Sequence, residues 1–225
     1  FESLASTAIK SVQWILKYQY IIFSVIALIS LSVLSYLGYQ RFIAEPKETE
    51  AISELNQAQY FFELALVSNE SDSLFKLALN GGEGKYGFLD IVDEYSGTKA
   101  ANLANYSIGM SYLNLKEYDK AITYLEKFNS DDILLKSISL GTIGDCFSEL
   151  NQPKEAYEYY KKAFKHNENI YTTPKYLLKA ALIGSELGEY SSALNYLNRI
   201  KEEFPDSHEF SSVEVQIGRI ENLNN

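Results

Sequence analysis

Between residues 18 and 40 the chain carries no charged side chain and is dominated by apolar residues. Lys17 and Arg41 bracket this run of 23 residues. A helix rises about 1.5 Å per residue, which makes the run roughly 34 Å long. That length crosses a hydrocarbon core of about 30 Å with slight tilt. The pattern predicts a transmembrane helix over residues 18–42. Trp14, Tyr18 and Tyr20 at one end, with Tyr36 and Tyr39 at the other, place amphipathic rings where headgroups would lie. Ahead of the run, Leu4, Ala8, Val12, Ile15 and Leu16 fall roughly on one face. Residues 1–17 read as an amphipathic flank that lies at the interface or extends the spanning helix.

Past Pro46 the period changes. Ile52, Leu55, Ala58, Gln59, Phe62 and Leu66 recur at helical spacing over residues 47–68. Asn69-Glu70-Ser71-Asp72 breaks that helix and caps a short one at 73–79, so residues 43–79 form linker helices. Asn80-Gly81-Gly82-Glu83-Gly84 lacks the Gly-Lys-Ser/Thr ending of a phosphate loop and carries an acid inside, so it reads as a flexible turn.

From residue 102 onward the pattern repeats. Gly109, Gly144 and Ala181 stand 35 and 37 residues apart. Six residues after each comes a leucine: Leu115, Leu150 and Leu187. Twelve after each comes an alanine: Ala121, Ala156 and Ala193. Fifteen after each comes a tyrosine: Tyr124, Tyr159 and Tyr196. The small residue lets the first helix of a hairpin approach its partner. The leucine closes that helix on an apolar contact, and the alanine sits at the crossing point. Lys116-Glu117-Tyr118-Asp119, Asn151-Gln152-Pro153-Lys154 and Gly188-Glu189-Tyr190-Ser191 are the turns, with Pro153 at a helix start, where its missing N–H costs nothing.

This spacing resembles the tetratricopeptide repeat, a helix-turn-helix unit of about 34 residues. Asn105-x2-Ile108-Gly109-x2-Tyr112 with Ala121-x3-Leu125 carries the first match. Leu140-x2-Ile143-Gly144-x2-Phe147 with Ala156-x3-Tyr160 carries the second. The third, Leu177-x2-Ala180-Ala181-x2-Gly184 with Ala193-x3-Leu197 and Pro205, has alanine for glycine and glycine for tyrosine. Tyr171-Thr172-Thr173 reads as an insertion before it. The expected fold is all-α: an N-terminal transmembrane helix followed by a tetratricopeptide-like helical-hairpin solenoid. A degenerate repeat is expected over 80–101, three repeats over 102–206, and a capping helix and tail over 207–225, where Phe210, Val213, Ile217 and Ile220 cover the last repeat.

Charge divides the chain. Up to Arg41 there are three basic residues (Lys10, Lys17 and Arg41) against Glu2, a net of +2. The remainder holds 17 basic against 29 acidic residues, a net of −12. Such a domain repels phosphate backbones, so no nucleic acid is expected as a partner. It also repels anionic headgroups and should stand off the bilayer. A secretory signal would have a shorter apolar region and a small-residue cleavage site. Here the run is longer and Arg41-Phe42-Ile43 follows, which favours an uncleaved anchor in contact with membrane lipid. Lys10 and Lys17 precede the run, whereas Arg41 and Lys47 follow it among Glu45, Glu48 and Glu50, so the N-terminus is expected in the cytoplasm and the large domain outside. Within the run, Ser24, Ala27 and Ser30 either bond back to their own helix or form a face for a second membrane helix.

No constellation for catalysis, cofactor or metal is apparent. His166 and His208 lack ligand spacing and read as solvated. Cys146, the sole cysteine, rules out an intrachain disulfide and reads as a packing thiol. The chain is expected not to be an enzyme and to need no cofactor. The repeat resemblance implies binding through the face lined by the first helix of each hairpin. In this register Tyr106, Met110, Asp145, Glu149, Leu178, Leu182 and Glu186 point that way. An apolar and acidic set suits a basic or amphipathic segment rather than a C-terminal carboxylate. Residues 47–68 or a neighbouring helix are the alternative occupant of that face.

The whole order of short flank, one spanning helix, linker, repeats and cap resembles YfgM-like proteins of the bacterial inner membrane. That resemblance implies a periplasmic repeat domain acting as an accessory subunit or chaperone of the Sec translocon. Its implied protein partners are translocon channel subunits and a membrane-anchored chaperone of the peptidyl-prolyl isomerase type. The alternative is a structural scaffold in another cell-envelope secretion or assembly complex.

Overall fold

The computed structural model describes residues 2–82 and 84–223, with side chains described at Trp14 and from Leu16 onward in that range. Residues 1–49 and 50–225 form two compact units. In the first, α1 (Glu2–Tyr39) runs through the charge-free stretch and ends in a π-helical turn, Gln40–Ala44. The backbone of residues 4–17 is part of α1, while the expected face of Leu4, Ala8, Val12 and Ile15 lies outside the described side chains. No described side chain of α1 is buried; Leu28 is 68% exposed and Phe23 65%. The helix is long and apolar enough to cross a membrane. Its backbone groups bond within the helix, as a membrane-spanning segment requires. Ser32 donates back to the Leu28 carbonyl at 2.9 Å, while Ser24, Ala27 and Ser30 lie on the exposed surface.

α2 (Glu45–Val67) continues from the π-turn without a break, and Pro46, which cannot donate a ladder bond, follows directly on that turn, where the Glu45 N–H donates to the Gln40 carbonyl. Its face of Ala51, Leu55, Ala58, Phe62 and Ala65 is buried. Phe62 packs edge-on against Phe75 of α3 (Ser71–Asn80) at 5.8 Å and Phe88 of α4 (Phe88–Glu94) at 6.0 Å. The helical pair ahead of the regular repeats is therefore α3 and α4, joined by a turn containing Gly81 and Gly82. Among the described residues there is no strand, only a bridge between Gly82 and Lys85.

Three hairpins follow: α5 (Lys99–Asn114) with α6 (Tyr118–Lys127), α7 (Ile133–Glu149) with α8 (Pro153–His166), and α9 (Thr173–Glu186) with α10 (Tyr190–Glu203). α11 (Phe210–Leu223) packs on α10 and α9. The starts are capped by side chains where the sequence supplies them. Thr98 Oγ1 accepts from the Ala101 N–H at 3.0 Å, and Asp132 Oδ1 accepts from those of Leu134 and Leu135.

Each hairpin closes in the same way. The first helix ends with a left-handed residue seven positions after its small residue: Lys116, Asn151 and Gly188. The following N–H groups donate back across the helix end, Glu117 to Tyr112, Gln152 to Phe147 and Glu189 to Gly184, at 2.8–2.9 Å. This double-bonded cap turns the chain sharply enough for the second helix to return along the first. Close approach then requires glycine. A Cβ added at Gly144 would stand 2.7 Å from the Tyr160 ring and 3.3 Å from the Ala156 carbonyl oxygen, and one at Gly109 would run into Leu125. Ala121, Ala156 and Ala193 are fully buried at the crossings. α11 covers the last hairpin with Val213 and Ile220, whereas Phe210 stays 39% exposed because it begins the helix instead of facing the stack.

Candidate partner-binding face

The first helices of successive hairpins supply one surface. At their C-terminal ends a hollow of about 480 Å³ is lined from five successive helices. α5 gives Leu113 and Asn114, and α7 gives Asp145, Ser148 and Glu149. Tyr118, Tyr160 and Lys179 reach it from α6, α8 and α9. No α2 residue lines it, because α2 is engaged by α3 and α4.

Asp145 is the node of this hollow. Its Oδ1 accepts from the Tyr160 hydroxyl at 2.7 Å and from Lys179 Nζ at 2.5 Å. Each contact joins a different helix to α7. Burial, then the adjacent Asp145 charge, raises the Tyr160 phenol above its ordinary value, so it stays a neutral donor. Tyr160 stacks on Tyr176 at 6.3 Å, and Tyr176 packs over Gly141, where a Cβ would collide with its ring. Glu149 is exposed and accepts from the Tyr118 hydroxyl at 3.2 Å, across the step between the first and second hairpins.

Asp145 and Glu149 thus share one hollow. Leu182 and Glu186 share another of about 190 Å³, whose far wall is Gln216, Arg219 and Ile220 of α11. Tyr106, Met110 and Leu178 line neither. Tyr106 is half-buried against Phe128 at 5.2 Å, and burial raises its phenol. Met110 and Leu178 pack against the two cores. Sequence reasoning missed Lys116, Lys179 and Tyr160. The lysines matter because they balance the two carboxylates, so the larger hollow is mixed in charge and not acidic. Lys179 lies one repeat length beyond Asp145, and that offset was the available signal.

Cys146 is fully buried, and burial with the Asp145 charge pushes its thiol up to about 12, which removes it as a nucleophile. Both histidines are exposed. Among the described residues no group of three or more His, Cys, Asp or Glu is placed to hold a metal ion.

Stacked helical hairpins with a small residue at each crossing and a shared inner face define a helical-repeat protein of the interaction type. The repeats are tetratricopeptide repeats: profiles of that description match residues 104–130, 138–169 and 176–207. Such repeats indicate protein partners in general. No curated protein matches the chain.

Proposed function

We propose that this protein is a single-pass membrane-anchored adaptor whose hairpin stack holds a segment of another polypeptide in the hollow around Asp145 and Glu149. The observation that carries this reading is the hollow itself. Five successive helices contribute to it, and none of the described residues fills it. Within it Asp145 is already matched by Lys179 and Tyr160, whereas Glu149 and Lys116 remain exposed. An amphipathic segment bearing both signs of charge suits that lining, with Leu113 as its apolar contact. The uncovered apolar helix α1 supports residence in a membrane as an uncleaved anchor.

The finer reading rests on the order of elements. It places the domain on the periplasmic side of a bacterial inner membrane, as an accessory subunit or chaperone beside the Sec translocon and an isomerase-type chaperone. Native purification of the full chain in mild detergent, followed by mass spectrometry, tests it. Channel subunits and the isomerase should co-purify, and Glu149→Arg with Leu113→Asp should cut their recovery at least fivefold. Recovery of a different stable set of envelope proteins would establish the scaffold role instead. Unchanged recovery from the variant would remove the hollow from the contact.

A further inference from the structure

A second surface lies away from that hollow, where the loop between α8 and α9 meets the loop between α10 and α11. The interval from Gly144 to Ala181 is two residues longer than that from Gly109 to Gly144, and the extra length emerges here. Its tip, Ile170 and Tyr171, is 68% and 71% exposed.

The loop is held firmly. Asn169 Oδ1 accepts from the Tyr171 and Thr172 N–H groups at 2.9 and 2.8 Å, and its Nδ2 donates to the Asn167 carbonyl and Thr172 Oγ1. The Asn169 N–H donates to Thr173 Oγ1 at 2.8 Å, and both threonines are buried. Two large apolar side chains are thus fixed in solvent by a satisfied polar network. The ordering cost of presenting them is met before any partner arrives.

Beside the pair is a hollow of about 440 Å³ floored by Phe204 and Pro205. Glu203, Asp206 and Glu209 rim it, and the lining contains no Lys or Arg. Arg199 holds Glu203 from behind, leaving Asp206 and Glu209 to set the sign of the rim. Lone exposed apolar residues are ordinary on protein surfaces. A rigid adjacent pair beside an apolar hollow with a one-signed rim is an interface feature.

We propose that this edge is a docking site for a partner protein through a short segment carrying an aromatic or aliphatic side chain flanked by Lys or Arg. The apolar side chain would enter between Tyr171 and Phe204, and the cations would meet Asp206 and Glu209. The same rim repels anionic headgroups, so a lipid surface is the poorer fit.

The test uses the full chain in detergent and the hexapeptide Lys-Lys-Phe-Phe-Lys-Lys with one Phe replaced by benzoylphenylalanine for photocrosslinking. Crosslinks are expected on residues 170–171 and 203–209. They should fall at least tenfold in Ile170→Ser/Tyr171→Ser and in Asp206→Lys/Glu209→Lys. They should weaken with salt and be absent for the Glu-flanked peptide. Circular dichroism checks each variant, and the rim variant serves if the loop variant misfolds. Crosslinks confined to α5, α7 and α9 would overturn this site while leaving the adaptor reading intact. Absence of crosslinks, or equal labelling by the Glu-flanked peptide, overturns it outright. So does self-association of the chain alone that Tyr171→Ser abolishes, because a second copy would then be the occupant.

Discussion

Lys116 and Asn151 adopt φ of 61° and 56°, a region in which a side chain crowds the following carbonyl, whereas Gly188 reaches φ 81° without that penalty. The three residues occupy one position of one repeated cap, so their identities can be compared directly. Asn tolerates the left-handed region better than Lys, which places the largest strain at Lys116. Lys116→Gly should therefore stabilise the full chain by about 1 kcal/mol, and Gly188→Ala should cost about as much. In a domain of this size each change should move the thermal midpoint by roughly 2–4 °C, in opposite directions. A midpoint unmoved by Lys116→Gly would mean that the lysine recovers its backbone cost through its place at the hollow.

Among the helices, the third hairpin departs from the other two at Gly184, where Tyr112 and Phe147 stand in the first and second. Tyr157 of α8 fills the gap. Its ring lies 3.0 Å from where a Cβ on Gly184 would sit, and its hydroxyl is 3.5 Å from that of Tyr196. The matching place in the first hairpin holds Ile122. At the preceding step Ile122 and Phe147 hold the corresponding places, so the larger side chain comes from the second helix of one hairpin in one pairing and from the first helix of the next hairpin in the other. Gly184→Phe alone should cost about 1–3 kcal/mol by overpacking. Tyr157→Ile alone should also destabilise, and the pair should recover part of the loss with a coupling of roughly 0.5–3 kcal/mol in denaturant unfolding. Strictly additive losses would rule out the volume exchange.

The same contrast explains what the chain disclosed in advance. Contacts inside a hairpin, such as Gly109 on Leu125 or Gly144 on Tyr160, recur at fixed offsets and were legible as a pattern. Contacts between hairpins depend on how far each is rotated on the last. That is why Lys179 on Asp145, Tyr118 on Glu149 and Tyr157 beneath Gly184 were not legible. The linker helix was readable in extent, but its seat on Phe75 and Phe88 was not, because no repeat offset connects them.

For the domain as a whole, packing is nearly one-dimensional. One core runs from Ala51 to Cys146 and a second from Ala156 to Ile220, and Phe147 touches both. Stability in such an array is the sum of hairpin terms and nearest-neighbour interfaces, so loss at one end should fade with distance. α11 covers only the second core, through Val213 and Ile220, whereas Cys146 lies in the first. Removing residues 208–225 should therefore raise hydrogen exchange strongly in α9 and α10 while leaving alkylation of Cys146 almost unchanged. The thiol suits this readout because it is fully buried and its pKa of about 12 keeps it protonated near pH 8, so it reacts only when the first core opens. Iodoacetamide labelling and exchange measured on the same sample separate the two behaviours. A local loss predicts exchange rising by orders of magnitude in the third hairpin against less than a tenfold change at the thiol. If both rise together, the hairpins open as one cooperative unit, and the hollow around Asp145 closes or disappears with the cap.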